Sequence, residues 1–176
     1  MNLIVKTTSK KITELQKIRT LYKSSFPRKE RFPHAVLQIM KHFKLVEALA
    51  FYDESQLCGF SYLIVQEKAV FIMYLAVNDE LRGKGYGSEI LKCIKSKYPG
   101  KTIILDIEEL NQQAKNYEQR IRRVQFYKKN GFYQTSRYFT MRGVRYEIMC
   151  TDASFTENDY NEFWENVYKK RTHKKS

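Results

Sequence analysis

A glycine-rich turn is the segment of this sequence with the clearest capacity for chemistry. It spans residues 82–87 (RGKGYG), a few residues after a hydrophobic run that ends at Val77, and an amphipathic pattern begins where it ends. Glycines let backbone amides approach an anion, and a helix N-terminus directs unpaired N–H groups and its positive dipole end at it. The turn therefore predicts a receptor for phosphate groups. Its G-x-G-x-G spacing matches neither the dinucleotide fingerprint nor the P-loop, so a strand–helix turn without a ligand is the alternative.

Length and composition predict one globular domain with its own core. The chain has 176 residues, of which 43% are hydrophobic and 14% aromatic, values too high for a disordered chain. No window approaches the roughly 20 apolar residues that span a bilayer, and the first residues lack the pattern of a signal peptide. Cys58, Cys93 and Cys150 lie in apolar runs, which predicts buried thiols of a cytoplasmic protein. The three histidines lack metal-ligand spacing, so we predict no metal.

The charge of the chain favours anionic partners. Its 32 Lys plus Arg against 19 Asp plus Glu give a formal charge of +13, which suits a nucleotide cofactor, nucleic acid or an acidic surface. Part of the excess lies in residues 169–176, which we interpret as a solvated terminus. No aromatic-rich RNA-binding motif accompanies the charge, so nucleic acid is not favoured as a partner.

Hydrophobic periodicity places these features on a β-α-α-β-β-β-α-β-α-β-β-α order. Predicted strands are 3–7, 45–52, 56–65, 69–77, 101–107, 132–140 and 144–150, and predicted helices are 10–22, 34–43, 87–98, one that ends at 130, and one that begins after Thr156. The order predicts an α/β (α+β) fold, a mixed sheet with helices on its faces. Thr156 and Asp159 resemble a capping box, and we expect the aromatic stripe of the last helix to dock onto the domain's own surface.

Two motifs resemble the GNAT superfamily of acyl-CoA-dependent N-acyltransferases. The family's cofactor motif, Val/Ile-x4-Gln/Arg-x2-Gly-x-Gly/Ala, is matched at every fixed position of residues 77–87, and its Tyr…Gly-Phe signature is matched by Tyr127, Gly131 and Phe132. The resemblance covers residues 3–151, an N-acetyltransferase domain, and leaves residues 152–176 as a C-terminal helix and basic tail. It implies a mixed central sheet of about seven strands with helices on both faces, plus the C-terminal helix.

The resemblance also implies a role for each matched residue. The backbone of the splayed strand 75–77 would bond the acyl carbonyl and the pantetheine arm, and the amides of the glycine turn would bind the pyrophosphate of CoA. Tyr127 would protonate the departing thiolate as general acid. The predicted residues for binding acetyl-CoA are Leu75, Ala76, Val77, Arg82, Gly83, Lys84, Gly85, Tyr86, Gly87, Ser88 and Arg123.

Candidates for a general base lie on the strand that follows the first motif. Side chains alternate along a strand, so Asp106 and Glu108 point to the same side, and either could deprotonate the amine through water. The alternative is that these carboxylates only bind a cationic substrate or pair with nearby arginines. Glu30, in the loop between the first two helices, is a further candidate for the acceptor site.

One position departs from the family pattern. Many members carry an Asn seven residues before the tyrosine, where this chain has Arg120. The row Arg120, Arg122 and Arg123 would meet the 3′-phosphate of CoA or an acidic acceptor, or else form a solvated helix face.

The predicted function is transfer of the acetyl group of acetyl-CoA to a primary amine of a small, cationic molecule. Two alternatives stay open. One is acetylation of a protein or RNA-associated amine, such as a ribosomal protein or tRNA, and the other is a non-catalytic sensor of acyl-CoA. The exposed strand edges and the last helix are compatible with a homodimer.

Overall fold

The computed structural model describes residues 2–8 and 12–172, and it contains seven strands and five α-helices over those ranges. In chain order they are β1 Ile4–Thr7, α1 Ile12–Ser25, α2 His34–His42, β2 Glu47–Asp53, β3 Gln56–Val65, β4 Ala69–Val77, α3 Tyr86–Lys97, β5 Thr102–Glu108, α4 Tyr117–Lys129, β6 Tyr133–Met141, β7 Val144–Cys150 and α5 Glu157–Thr172. The element order is the predicted one, and β3, β4 and β7 have the predicted bounds. The other described ends differ by up to three residues.

The strands form one mixed sheet in the order β1-β2-β3-β4-β5-β7-β6. Every neighbouring pair is antiparallel except β4 and β5, which are parallel because α3 carries the chain back across the sheet between them. The predicted seven-stranded mixed sheet is confirmed.

Helices cover both faces of the sheet, as predicted. On one face α1, α2 and α5 bury Ile18, Leu37 and Phe163 in a cluster that includes Ile104 of β5. On the other face α3 and α4 bury Ile90 and Val124 among others. Strands covered on both sides have continuous apolar sequences, which explains why β3 and β4 are recognisable in the sequence.

The sheet opens in the middle, between its two parallel strands. β4 and β5 pair only from Ala69 opposite Thr102 to Phe71 opposite Ile104. The register of β4 against β3 then shifts, so that Met73 is an extra residue, and such a bulge bends the strand. From residue 72 onward, the β4 edge that faces β5 has no strand partner in the described part of the chain. The two strands therefore diverge and leave a gap through the sheet.

The last helix docks onto the domain, as expected. Trp164 lies edge-to-face against Phe71 of β4 at 5.2 Å between ring centroids. At its start, the Asp159 N–H donates to Thr156 Oγ1 at 3.2 Å, and the Thr156 N–H donates to Asp159 Oδ2 at 2.7 Å. The capping box is therefore confirmed. The last four residues of the basic tail lie outside the described residues.

Two further features predicted from the sequence are the burial of the cysteines and the length of the apolar segments. Cys58 and Cys150 are buried, but Cys93 is only half-buried, because it lies beside the inward face of α3 and not on it. Among residues 2–8 and 12–172, no helix is long and apolar enough to cross a bilayer.

Candidate active site

A cavity of about 1770 Å³ passes through the gap between β4 and β5. We call its two ends the donor half and the acceptor half. The donor half lies against α3, α4 and the glycine turn. The acceptor half lies between the α1–α2 loop, α2, β7 and α5, and the two meet where Asp106 of β5 and Tyr74 of β4 line the wall. Each functional side chain therefore lies close to the point where the sheet opens.

The glycine turn at the donor end presents unpaired amides. Gly83 and Gly85 have φ values of +76° and +87°, and a Cβ built on either would meet no atom within 4 Å. In the described residues, the N–H groups of Gly83, Gly85, Tyr86 and Gly87 have no hydrogen-bond acceptor. Because α3 begins at Tyr86, the positive end of its dipole adds to these amides. The turn has the open space and the donors that a phosphate group requires.

The side chains of the turn contribute less than its backbone. Arg82 lines the cavity but is held by Asp79 at 2.6 Å, with both side chains more than half exposed. Lys84 is exposed and lies outside the cavity wall. Tyr86 is also outside the wall, and its hydroxyl donates to Asp53 at 2.7 Å. The other predicted residues for binding acetyl-CoA all line the cavity, namely Leu75, Ala76, Val77, Gly83, Gly85, Gly87, Ser88 and Arg123.

Tyr127 projects from α4 into the same cavity. Its ring packs edge-on against Phe126 and Phe132, at 5.1 and 5.4 Å between centroids. Burial raises the pKa of its phenol to about 12, an effect opposed by Arg123 and increased by the charge of Asp106. The phenol is therefore fully protonated at neutral pH, as a proton donor must be. Phe126 also fixes α4 to the turn, since a Cβ on Gly87 would come within 3.0 Å of its ring.

Asp106 lies at the neck of the cavity, only partly exposed. Burial raises the pKa of its carboxyl from 3.8 to about 6. No other residue in the described part of the chain forms an ion pair with it. Its charge also contributes, after burial, to the raised pKa values of Tyr127, Tyr146 and Tyr160. A carboxylate in this setting is poised to take a proton near neutral pH.

Glu108, two residues after Asp106 on β5, is fully engaged. Arg120 donates to it at 2.9 Å, Arg123 at 3.3 Å and the Asn116 amide at 3.1 Å. Arg120 also donates to the Asn116 side chain and to the Glu109 carbonyl. The structure thus shows the predicted alternative for Glu108, pairing with nearby arginines. Arg120 is mostly buried in this network and Arg122 is exposed, so the three arginines do not form one row.

The α1–α2 loop covers the acceptor half and is fixed to the sheet. The Tyr74 hydroxyl accepts the Phe32 N–H at 3.1 Å and donates to the Glu30 carbonyl at 2.8 Å, while Tyr22 donates to the Phe32 carbonyl at 3.1 Å. The Glu30 side chain lines the cavity, and burial, followed by the charge of Glu108, raises its pKa.

Aromatic residues of α5 and β7 complete the acceptor half. Tyr146, Tyr160 and Trp164 all line the cavity, and sequence reasoning assigned none of them to the site. The helical period of the aromatic residues in α5 predicted that one face of this helix packs against the domain. It could not predict which surface that face covers or which cavity the packing encloses.

The parted strands β4 and β5 leave an open strand edge beside a turn with unpaired amides in the described part of the chain, an arrangement suited to a phosphate-bearing substrate. The sequence model of the acetyltransferase (GNAT) domain matches residues 46–134, just over half of the chain. The chain belongs to the GNAT acetyltransferase family.

Solved structures agree on the fold. The chain is similar to a GNAT-family protein from Bacteroides thetaiotaomicron, at TM-score 0.78 and 18% identity over 94% of this chain and 96% of that one. An aminoglycoside 6′-N-acetyltransferase complexed with coenzyme A is similar at TM-score 0.63 and 17% identity, over 84% of this chain and 95% of that one. The ribosomal-protein-S18-alanine N-acetyltransferase of Escherichia coli is similar at TM-score 0.59 and 15% identity, over 89% of this chain and 98% of that one. No curated protein sequence matches significantly. At these identities the likenesses show the fold and leave the acceptor undetermined.

Family membership makes the chain an acyl-CoA-dependent N-acetyltransferase with acetyl-CoA as acyl donor. The donor half suits this molecule. Over residues 2–8 and 12–172, four amides without an acceptor and two glycines with open space lie at one end, and an unpaired strand edge leads away from them.

Proposed function

We propose that this protein transfers the acetyl group of acetyl-CoA directly to the primary amine of a small, cationic molecule. The observation that carries the proposal is the position of Asp106 where the two halves of the cavity meet. Its carboxylate has a pKa of about 6 and, among the described residues, no ion-pair partner. An ammonium group entering from the acceptor half would find there both a counter-charge and a proton acceptor.

In this proposal the donor half binds acetyl-CoA through backbone groups. The amides of the glycine turn hold its pyrophosphate, and the unpaired edge of residues 75–77 aligns the pantetheine arm and the acetyl carbonyl. Acetyl-CoA supplies an acetyl group activated as a thioester. The side chains of Lys84 and Tyr86 have no part in the proposed site, whereas the backbone N–H of Tyr86 belongs to the turn that holds the pyrophosphate.

Asp106 and Tyr127 divide the proton transfers. Asp106 removes a proton from the ammonium, directly or through water, so that the nitrogen lone pair can attack the acetyl carbon. Tyr127 donates its phenolic proton to the sulfur as the C–S bond breaks, and it regains a proton from the new amide nitrogen. The balance is one ammonium and one acetyl-CoA giving one N-acetyl amine, one CoA thiol and one proton, which Asp106 passes to solvent.

Glu108 is not the base in this proposal. Its two oxygens already accept hydrogen bonds from two guanidinium groups and an amide, so it holds α4, and with it Tyr127, against β5. The Arg123 guanidinium likewise pairs first with the Glu108 carboxylate, and in this proposal any contact with a phosphate of CoA is secondary.

The test is CoA release from acetyl-CoA across a panel of small amines, a lysine peptide and a ribosomal fraction, with binding of acetyl-CoA followed by its effect on Tm. Turnover with a small amine supports the proposal. Turnover only with the macromolecular fraction would replace it with a protein or RNA-associated acceptor. Binding of acetyl-CoA without any turnover would indicate a sensor.

A further inference from the structure

The acceptor half continues past Asp106 into an apolar chamber between two helices. We define the α2–α5 chamber by six of the residues that line it: Met40, Phe43, Phe71, Tyr160, Trp164 and Val167. Trp164 is edge-on to Phe71 at 5.2 Å and to Tyr160 at 6.1 Å, so the inner wall is aromatic. Binding and activating an amine at Asp106 requires none of these side chains.

The mouth of the chamber exposes large apolar groups. Ile39 on α2 is 56% exposed and Tyr168 on α5 is 59% exposed, and both line the same cavity. An apolar surface that is continuous with a binding site gains free energy when a ligand covers it.

The charges around the acceptor half oppose a ligand with several positive groups. Lys23, Arg28 and Arg31 line it from α1 and the α1–α2 loop. Only Glu30 and Asp106 offer carboxylates without an ion pair among the described residues, because Glu108 is held by two arginines. A polyamine or an aminoglycoside would bring more positive charges than this wall can compensate.

We propose that the acceptor is a monoamine with an apolar body, bound with its ammonium at Asp106 and its body in the α2–α5 chamber. This inference rests on the proposed function and narrows its substrate class. An alternative occupant, the alkyl chain of a longer acyl-CoA, would have to pass the Asp106 carboxylate, which favours a cation over a methylene chain.

The chain contains one tryptophan, and Trp164 lies in the chamber wall, so its fluorescence reports occupancy independently of turnover. With CoA saturating, we would titrate phenethylamine, ethylamine and spermidine. We expect saturable change with phenethylamine and an affinity at least about tenfold higher than for ethylamine, the gain from burying a phenyl ring. Equal affinity for ethylamine and phenethylamine, or tightest binding of spermidine, would overturn the proposal.

A matched pair of exposed tyrosines provides the control. Tyr168→Ser removes ring area at the mouth of the chamber, whereas Tyr133→Ser removes a ring that is 54% exposed on β6 and does not line the cavity. We expect Tyr168→Ser to weaken phenethylamine binding several-fold with ethylamine unaffected, and Tyr133→Ser to change neither. An equal effect of the two variants would contradict the assignment.

The same titration separates this inference from the proposed function. If phenethylamine binds preferentially but is not acetylated, the chamber assignment stands and the transfer proposal fails. If ethylamine is acetylated as efficiently as phenethylamine, the transfer proposal stands and the chamber assignment fails. Preferential turnover of hexanoyl-CoA over acetyl-CoA with ethylamine would assign the chamber to the acyl chain and overturn the inference.

Discussion

The two halves of the cavity are built in opposite ways. The donor half uses backbone: amides of one turn, the N-terminus of one helix and the unpaired edge of one strand, all within residues 72–88. The acceptor half uses side chains from α1, the α1–α2 loop, α2, β5, β7 and α5, which are as far as 145 residues apart in sequence, from Lys23 to Tyr168. A backbone receptor suits a ligand shared by a whole family, and side chains from scattered elements suit a ligand particular to one member.

The boundary between the halves is the most sensitive place to test this comparison. Tyr127→Phe removes the proposed proton donor and keeps the ring that packs on Phe126 and Phe132. We expect kcat to fall by about 10²- to 10⁴-fold with the affinity for acetyl-CoA unchanged, measured by single-turnover kinetics and by calorimetry. Retention of full turnover would remove the acid from the proposal.

Asp106→Asn tests the acceptor side of that boundary. We expect kcat/KM to fall by about 10²-fold. In the wild-type protein kcat/KM should decrease about tenfold per pH unit below pH 6, because the carboxylate must be ionised and its pKa is about 6. The variant should lack this limb. A pH profile unchanged by the substitution would assign the base elsewhere.

The same variant should be more stable at neutral pH. The pKa of Asp106 is raised on folding from 3.8 to about 6, so ionisation of this carboxyl opposes folding. Its contribution to stability is fully present below about pH 4 and is lost as the pH rises through 6, a difference of about 3 kcal/mol. Thermal unfolding should therefore show a higher Tm for Asp106→Asn at pH 7 and a smaller difference at pH 4.

Glu108→Gln distinguishes the two carboxylates of β5. The substitution leaves two guanidinium groups without their counter-charge, one of them mostly buried, and should lower the free energy of unfolding by about 3 kcal/mol. The decrease of kcat/KM below pH 6 should persist. Denaturant titration and a pH–rate profile measure the two effects, and loss of the limb with stability intact would exchange the roles of Glu108 and Asp106.

Gly85→Ala should give the smallest effect, confined to the donor half. Its φ of +87° disfavours an L-residue by about 1 kcal/mol, and the new methyl would occupy the space in front of the unpaired amides. We expect the Kd for acetyl-CoA to rise about tenfold and the KM for the amine to be unchanged at saturating acetyl-CoA. A matched rise in the amine KM would show that the two halves are coupled.

The difference between the donor half and the acceptor half also explains which parts of the site could be predicted from the sequence. The glycine turn follows a buried strand after only a few residues, so residues 77–87 contain both the ligand-binding groups and the start of the helix that positions them. Glu108 shows the limit of prediction from the sequence. Its alternation with Asp106 along the strand could be read from the sequence. Its three hydrogen-bond partners could not, because they come from α4 and the loop before it, and the direction of α4 depends on packing. Trp164 shows a further limit, since helical periodicity predicts which face is buried and cannot identify the opposing surface.

The short pairing between β4 and β5 has a consequence for the dynamics of the chain. Three register pairs join a first half-sheet of β1–β4 to a second one of β5–β7, and α5 reaches back from the second half to Phe71 and Lys68 in the first. The two half-sheets should therefore act as separate cooperative units in native-state hydrogen exchange. Ligands that contact both of them would raise the free energy of their separation, and removal of α5 would lower it.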